Sequence, residues 1–293
     1  MSTNVENVPG IFDEQSLIRR VQRERIVALA GARALLIQAA HPVAFEGFFA
    51  STAALDDPYP RLRRTADTVD AVVFGERAEA ERRTARVRRV HSSIRGHLAA
   101  PAGSFPAGTP WAADDPELLL WIVATLAESG LIVYERYVAE LDPEEREAYW
   151  QDYRIMGVMF GLRPEEMPST FPEFESYLRE TLAGDTLYVT PDARELAKQI
   201  VLRPPVPLLA RPLLELANTI VVGLLPARIR REYGLSWDPL RAGAVRGGAE
   251  YTRHLLLPLI PSGVRHRSFS ERANRDRGGR RARVPAAGAV AAG

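Results

Sequence analysis

The sequence predicts an all-α fold: one helical domain of about ten helices over residues 13–260, between a flexible N-terminus (1–12) and a disordered tail (261–293). Three observations predict it. Apolar residues recur at helical spacing almost everywhere, and no series of alternating strands competes. Helix-opening Asp-Pro pairs recur, at Asp57-Pro58, Asp115-Pro116 and Asp142-Pro143. One run, Leu118 to Leu126, is apolar on every side, which marks a central buried helix.

Taken in order, Leu17, Val21, Ile26, Leu29, Leu35 and Leu36 predict a helix over 14–40, with Gly31 as its weak point. Pro42 cannot donate the ladder hydrogen bond and should kink or restart the chain after His41. A helix over 61–74 follows, then Gly75, then a helix over 77–97. The stretch AAPAGSFPAGTPWAADDP reads as a loop. Helices over 117–141 and 143–161 follow, with further segments near 172–183, 191–201, 208–224 and 238–257. The apolar run from Val206 to Leu225 is interrupted by Arg211 and Glu215, so it reads as a core or interfacial helix rather than a membrane span. Beyond Pro261 the chain is rich in Arg and Gly and too poor in apolar residues to offset its ordering entropy. That tail reads as solvated, with contact to anionic lipid or RNA as the alternative.

Composition excludes whole classes of chemistry. There is no cysteine in the 293 residues, which removes disulfides, thiolate catalysis, iron–sulfur clusters, Cys-ligated zinc and covalent haem attachment. Thirty-eight basic residues against thirty-seven acidic ones give no overall field toward nucleic acid, and no nucleic-acid partner is expected. Lys198 is the sole lysine. No phosphate-binding glycine loop and no GxSxG elbow occur. The opening MSTNVENVPGIFDEQ is polar and acidic where a secretory signal is basic and then apolar, so a soluble, cytoplasmic protein is expected, with peripheral membrane contact left open.

Five histidines carry what metal chemistry remains: His41, His91, His97, His254 and His266. On the 77–97 helix, Ala80, Thr84, Val87, His91, Ile94 and Leu98 form one stripe, while six arginines cover the other faces. His91 therefore points inward, where an imidazole needs a hydrogen-bond partner or a metal. On the residues alone, a satisfied core histidine is the simpler reading. His41 stands at the kink beside Gln38 and Phe45, either lining a pocket or tying down a freed carbonyl. His97 should face solvent, His254 is structural, and His266 belongs to the tail. On the 61–74 helix, Leu62, Thr65, Val69, Val72 and Val73 make the apolar face, Arg61 lies at its edge and Arg64 on its flank. Such a border suits a carboxylate, a propionate or an oxygen-derived ligand. Arginines paired with Asp57 or Glu76 are the simpler alternative.

The strings LLIQAAHPVAFEGF, DPYPRLRRTADTVDAVVFG, ARVRRVHSSIRG, DPELLLWIVATL and YERYV, in that order, resemble the MpaB-type oxygenase family, which includes the catalytic core of rubber oxygenase (latex clearing protein). The resemblance spans roughly residues 15–260. It implies a partly globin-like helical fold holding non-covalent haem b, and cleavage of carbon–carbon double bonds of apolar isoprenoid chains with dioxygen. It places the iron ligand on His91, and the distal residues on Arg61, Arg64 and Thr65. His41 is the next candidate at the cofactor. Two departures stand out. Arg64 replaces a lysine that approaches iron in rubber oxygenase, and an always-charged guanidinium is a poor metal ligand. Val123 replaces the histidine of the motif WxHATL. The competing reading is a non-catalytic haem or lipid carrier or sensor of the same fold.

Overall fold

The computed structural model describes residues 10–50 and 57–267, the side chains of 48–50 apart. It is 69% helical, with thirteen α-helices and one two-stranded ribbon among the described residues. The first helices are α1 (Leu17–Gln22), α2 (Ala28–Gln38), α3 (Pro42–Ala50), α4 (Tyr59–Phe74) and α5 (Arg77–His91). The ribbon, β1 (Arg95–His97) and β2 (Pro110–Ala112), precedes α6 (Pro116–Tyr137), α7 (Pro143–Phe160), α8 (Phe171–Ala183) and α9 (Pro191–Leu202). The chain closes with α10 (Arg211–Leu224), α11 (Ala227–Glu232), α12 (Pro239–Tyr251) and α13 (Ser262–Arg265).

The all-round apolar segment forms the centre. Trp121, Val123, Ala124, Thr125, Ala127, Ser129 and Val133 of α6 are buried on successive faces, and α2 packs along it. Its start follows from sequence: Pro116 needs no donor in the first turn, and the Asp115 carboxylate accepts from the Glu117 N–H at 2.9 Å. The same device opens α7, where Asp142 and Glu145 form a reciprocal capping box, and α12, where Asp238 accepts from the Arg241 N–H. At Gly130 a Cβ would fall 2.5 Å from the Tyr149 hydroxyl. The glycine lets that hydroxyl donate to the Ala127 carbonyl at 3.0 Å, locking α7 onto α6.

One charged side chain crosses this core. Arg33 of α2 is 1% exposed and spends its donors on the Glu128 carboxylate (2.7 and 3.1 Å), the Ser129 hydroxyl (2.7 Å) and the Leu224 carbonyl (2.9 Å). It joins α2, α6 and α10 with its charge paired, which is the condition for burying a guanidinium.

Several expectations are corrected. The helix predicted over 14–40 is three pieces, because Glu24 adopts an extended conformation and turns its carboxylate inward. Glu24 is 1% exposed and accepts from Arg265 (2.7 and 2.7 Å), with the His266 ring 3.3 Å from its carboxylate. The tail boundary at 261 therefore moves: residues 262–265 are α13, His266 bridges Glu24, and Arg267 pairs with Asp70 at 2.8 Å. Residues 268–293 lie outside the described residues. The N-terminal boundary moves too, since Phe12 is buried and Gly10 bridges Glu76, while residues 1–9 are not described. The helix count rises from about ten to thirteen through these breaks and through the short α11 and α13.

The helix predicted over 77–97 stops at His91. The hydroxyls of Ser92 and Ser93 donate back to the carbonyls of Arg89 (3.0 Å) and Val90 (2.8 Å), offering the backbone an alternative to further helix. The chain then pairs antiparallel with part of the predicted loop, Gly96 facing Trp111. A Cβ on Gly96 would come within 2.7 Å of the Trp111 ring, so glycine is what admits the indole.

The hairpin of α4 and α5 positions the site. Two helices of sixteen and fifteen residues, joined only by Gly75 and Glu76 and packed on one another, bring the first turn of α4 beside the last turn of α5. Arg33→Ala should lower unfolding free energy by about 3 kcal/mol, because Glu128 is left without its partner. The midpoint of urea denaturation at neutral pH reads this directly.

Candidate functional site

α5 carries the stripe as far as His91, and Ile94 and Leu98 belong to the chain that follows the helix. Ala80 and Thr84 are buried, Val87, His91 and Ile94 are half-buried, and Leu98 is buried. His91 ends the helix with its Nδ1 atom buried and without a hydrogen-bond partner among the described residues. Burial holds the imidazole below its ordinary pKa, and the Arg61 guanidinium pushes the same way, against a smaller opposing pull from Asp114. The ring is therefore neutral around pH 7, the form in which a nitrogen lone pair is available.

Arg61, half-buried in the first turn of α4, is drawn down to about 10 by burial and by the neighbouring charge of Arg64. It stays protonated at neutral pH. Structure thus brings Arg61 to His91, and adds Asp114, which follows β2 and was not a sequence candidate. Arg64 and Thr65 are placed differently from expectation. Both are exposed, and the Thr65 hydroxyl donates to the Arg61 carbonyl at 3.2 Å. The buried line of α4 runs instead through Thr68, Val72 and Val73. α4 packs on α5 and α1, and its fully buried residues all fall in its C-terminal half.

His41 is 7% exposed and caps α3: its Nδ1 accepts from the Ala44 N–H at 3.3 Å. It thus satisfies a donor at the restarted helix, where sequence suggested a carbonyl. Its ring lies 5.5 Å from Phe105 and 6.4 Å from Trp121. Burial in these surroundings pulls its pKa down to about 4. Gln38, on the same turn, donates to Thr125 of α6 at 2.9 Å. Phe45 is buried, whereas the side chain of Phe49, expected with it in a pocket wall, is outside the described residues.

The remaining histidines are peripheral. His97 is exposed as expected, His254 lies 3.2 Å from the Glu250 carboxylate at the surface, and His266 lies against Glu24. Among the described residues no three metal-binding side chains cluster, so the histidines offer metal ligation one imidazole at a time. The indole nitrogens of Trp111 and Trp121 are also buried without a partner among the described residues. The tryptophan of a Gly/Pro-rich loop, the larger of its two aromatics, was the available sign of the first. An open depression on α8, lined by Pro172, Glu173, Ser176, Tyr177 and Glu180, contains none of the predicted site residues.

Residues 18–254 match the sequence profile of the family described as ER-bound oxygenase mpaB/B'/rubber oxygenase, catalytic domain. The chain belongs to that family. No curated protein and no solved structure matches it. The matched span of this oxygenase-family chain runs from α1 into the helical turn after α12 and contains every predicted site residue. Val123, where the resemblance implied a histidine, is 4% exposed in the main core. The one described helix long and apolar enough to cross a membrane is α6, and most of it is buried inside the fold.

A histidine buried neutral makes stability depend on pH with a definite sign. The unfolded chain protonates His41 below about 6.5 and the folded chain only below about 4, so the unfolded state holds more protons between these values. Stability is full above pH 6.5 and falls as pH drops toward 4, by about 3 kcal/mol from this residue. Urea denaturation across that range should show a shallower fall for His41→Gln than for the parent chain.

Proposed function

We propose that the protein is a haem b-dependent oxygenase acting with dioxygen on an apolar, unsaturated, isoprenoid-like substrate. The observation that supports this most is His91: an imidazole kept neutral, with a buried nitrogen lacking a partner, beside a half-buried arginine. Burying a polar atom unpartnered costs free energy, and a bound group that meets it removes the cost. The donor set suits a haem, which asks the protein for one neutral imidazole and for cations near its two propionates. Haem b, when bound, supplies the binding and activation of dioxygen.

The residues of the chain do the rest. His91 would hold the iron, and Asp114 is the acidic group whose charge acts on the ring and would favour a proton on its second nitrogen. Arg61 stays charged and neutralises a carboxylate or a developing negative oxygen. Arg64 adds positive charge from the exposed flank. Thr65 presents its hydroxyl oxygen outward while its proton is donated to the Arg61 carbonyl. The aromatic group of Trp111, Phe105, Trp121 and His41 supplies apolar, unsaturated surroundings that suit a hydrocarbon substrate.

One observation favours a second reading. Val123 removes an imidazole that relatives carry, and it is packed in the core with no polar replacement at that position. A haem or lipid carrier of the same fold needs no such group.

Protein produced with ample haem should show a Soret band that His91→Ala abolishes while leaving the thermal midpoint of the haem-free chain within a few degrees of the parent. A band that survives in His91→Ala rejects the ligand assignment. With an unsaturated isoprenoid the loaded protein should consume oxygen steadily, and Arg61→Leu should slow this by about 100-fold, the usual scale for one electrostatic donor. Haem binding without oxygen consumption selects the carrier.

A further inference from the structure

The exposed leucines of the C-terminal third find no explanation in the fold or in the site. Leu208, Leu209 and Leu213 are 72%, 97% and 71% exposed, and Leu216 is 57% exposed. Leu208 and Leu209 lie in a short 3-10 turn (Leu208–Ala210) that leads directly into α10, and Leu213 and Leu216, three residues apart, share a face of its first turns. Scattered exposed leucines are ordinary, but four within nine consecutive residues are not. A second apolar stretch follows α12, where Leu255 and Leu259 are 56% and 80% exposed.

Charge says what would cover them. The near-neutral total hides a division: residues 203–293 hold sixteen arginines and six acidic residues, whereas residues 1–202 hold twenty-two basic and thirty-one acidic ones. Arg203, which precedes the leucines, and Arg211, which stands between Leu209 and Leu213, are exposed, and Glu215 is the sole acidic residue between 203 and 216. Six more arginines stand at 272–283, in the chain that continues past the described residues.

We propose that the start of α10, supported by the stretch after α12, docks the protein on an anionic lipid bilayer, with leucines entering the interface and arginines meeting lipid headgroups. Outward leucines bordered by arginines are the composition of a segment that lies on a bilayer rather than spans it. Juxtamembrane arginines are attracted by an anionic leaflet. A second copy fits less well, since a two-fold contact sets this basic third against itself. The inference stands apart from haem.

Flotation of the full chain with phosphatidylcholine vesicles, with and without phosphatidylserine, tests it. Binding should require phosphatidylserine and weaken at high salt. Leu209→Ser/Leu213→Ser should weaken it about tenfold, with an unchanged thermal midpoint because both side chains are exposed. In Leu209→Trp, tryptophan emission should move to the blue on adding anionic vesicles, more than in the parent chain. The proposal is overturned by an absence of flotation, by flotation indifferent to phosphatidylserine, or by flotation that the leucine substitutions leave unchanged. It is equally overturned if the chain is a dimer that those substitutions dissociate while vesicles bind neither form.

Discussion

The fold depends on one constraint: the run Leu118 to Leu126 of the 22-residue helix α6, which has no polar face to turn to water. An all-round apolar helix is stable only when neighbours cover every side. α2, α7, α12 and the short turn before α2 do so, and the remaining helices cover those in turn. The one strong polar demand inside this packing, the Arg33 guanidinium, is met by Glu128, Ser129 and the end of α10. The charged clamp fixes how α2 and α10 sit on α6, which apolar contact alone leaves free to slide.

The candidate site grows at the edge of that core. α5 lies between α4 and α7, so the last turn of α5 projects beyond the fully covered region and His91 ends half-buried. This intermediate place gives the site its chemistry. Deep burial of the same ring leaves no room for a ligand, and full exposure leaves it protonating near its ordinary pKa. Arg61 shares the arrangement, close enough to act on the ring and screened enough to be felt. A second clamp holds the far side of the same hairpin, where Arg267 pairs with Asp70 of α4 and Arg265 with the buried Glu24.

Much of this was legible in the chain. Helical class, the central helix, the Asp-Pro starts and the inward stripe through His91 each follow from local periodicity or capping chemistry. Family membership followed from motif order. Where expectation failed, the cause was a partner distant in sequence. Glu24 breaks a helix because Arg265 awaits it 241 residues away. Ser92 and Ser93 end α5, yet only the pairing of Gly96 with Trp111 makes a strand of residues 95–97. Thr65 kept the right spacing for the apolar face, but the fully buried residues of α4 begin only at Thr68.

The sequence by itself determined which segments are helices, which helix is central, that cysteine chemistry is absent and that His91 points inward, because each rests on spacing within a few turns or on composition. Tertiary structure alone decided that Arg61 and Asp114 act on His91, that His41 is a helix cap, and that the leucines opening α10 are left outside. Those outcomes depend on which surfaces meet, and a charge or an apolar face acquires its role only from the neighbour that covers it or fails to.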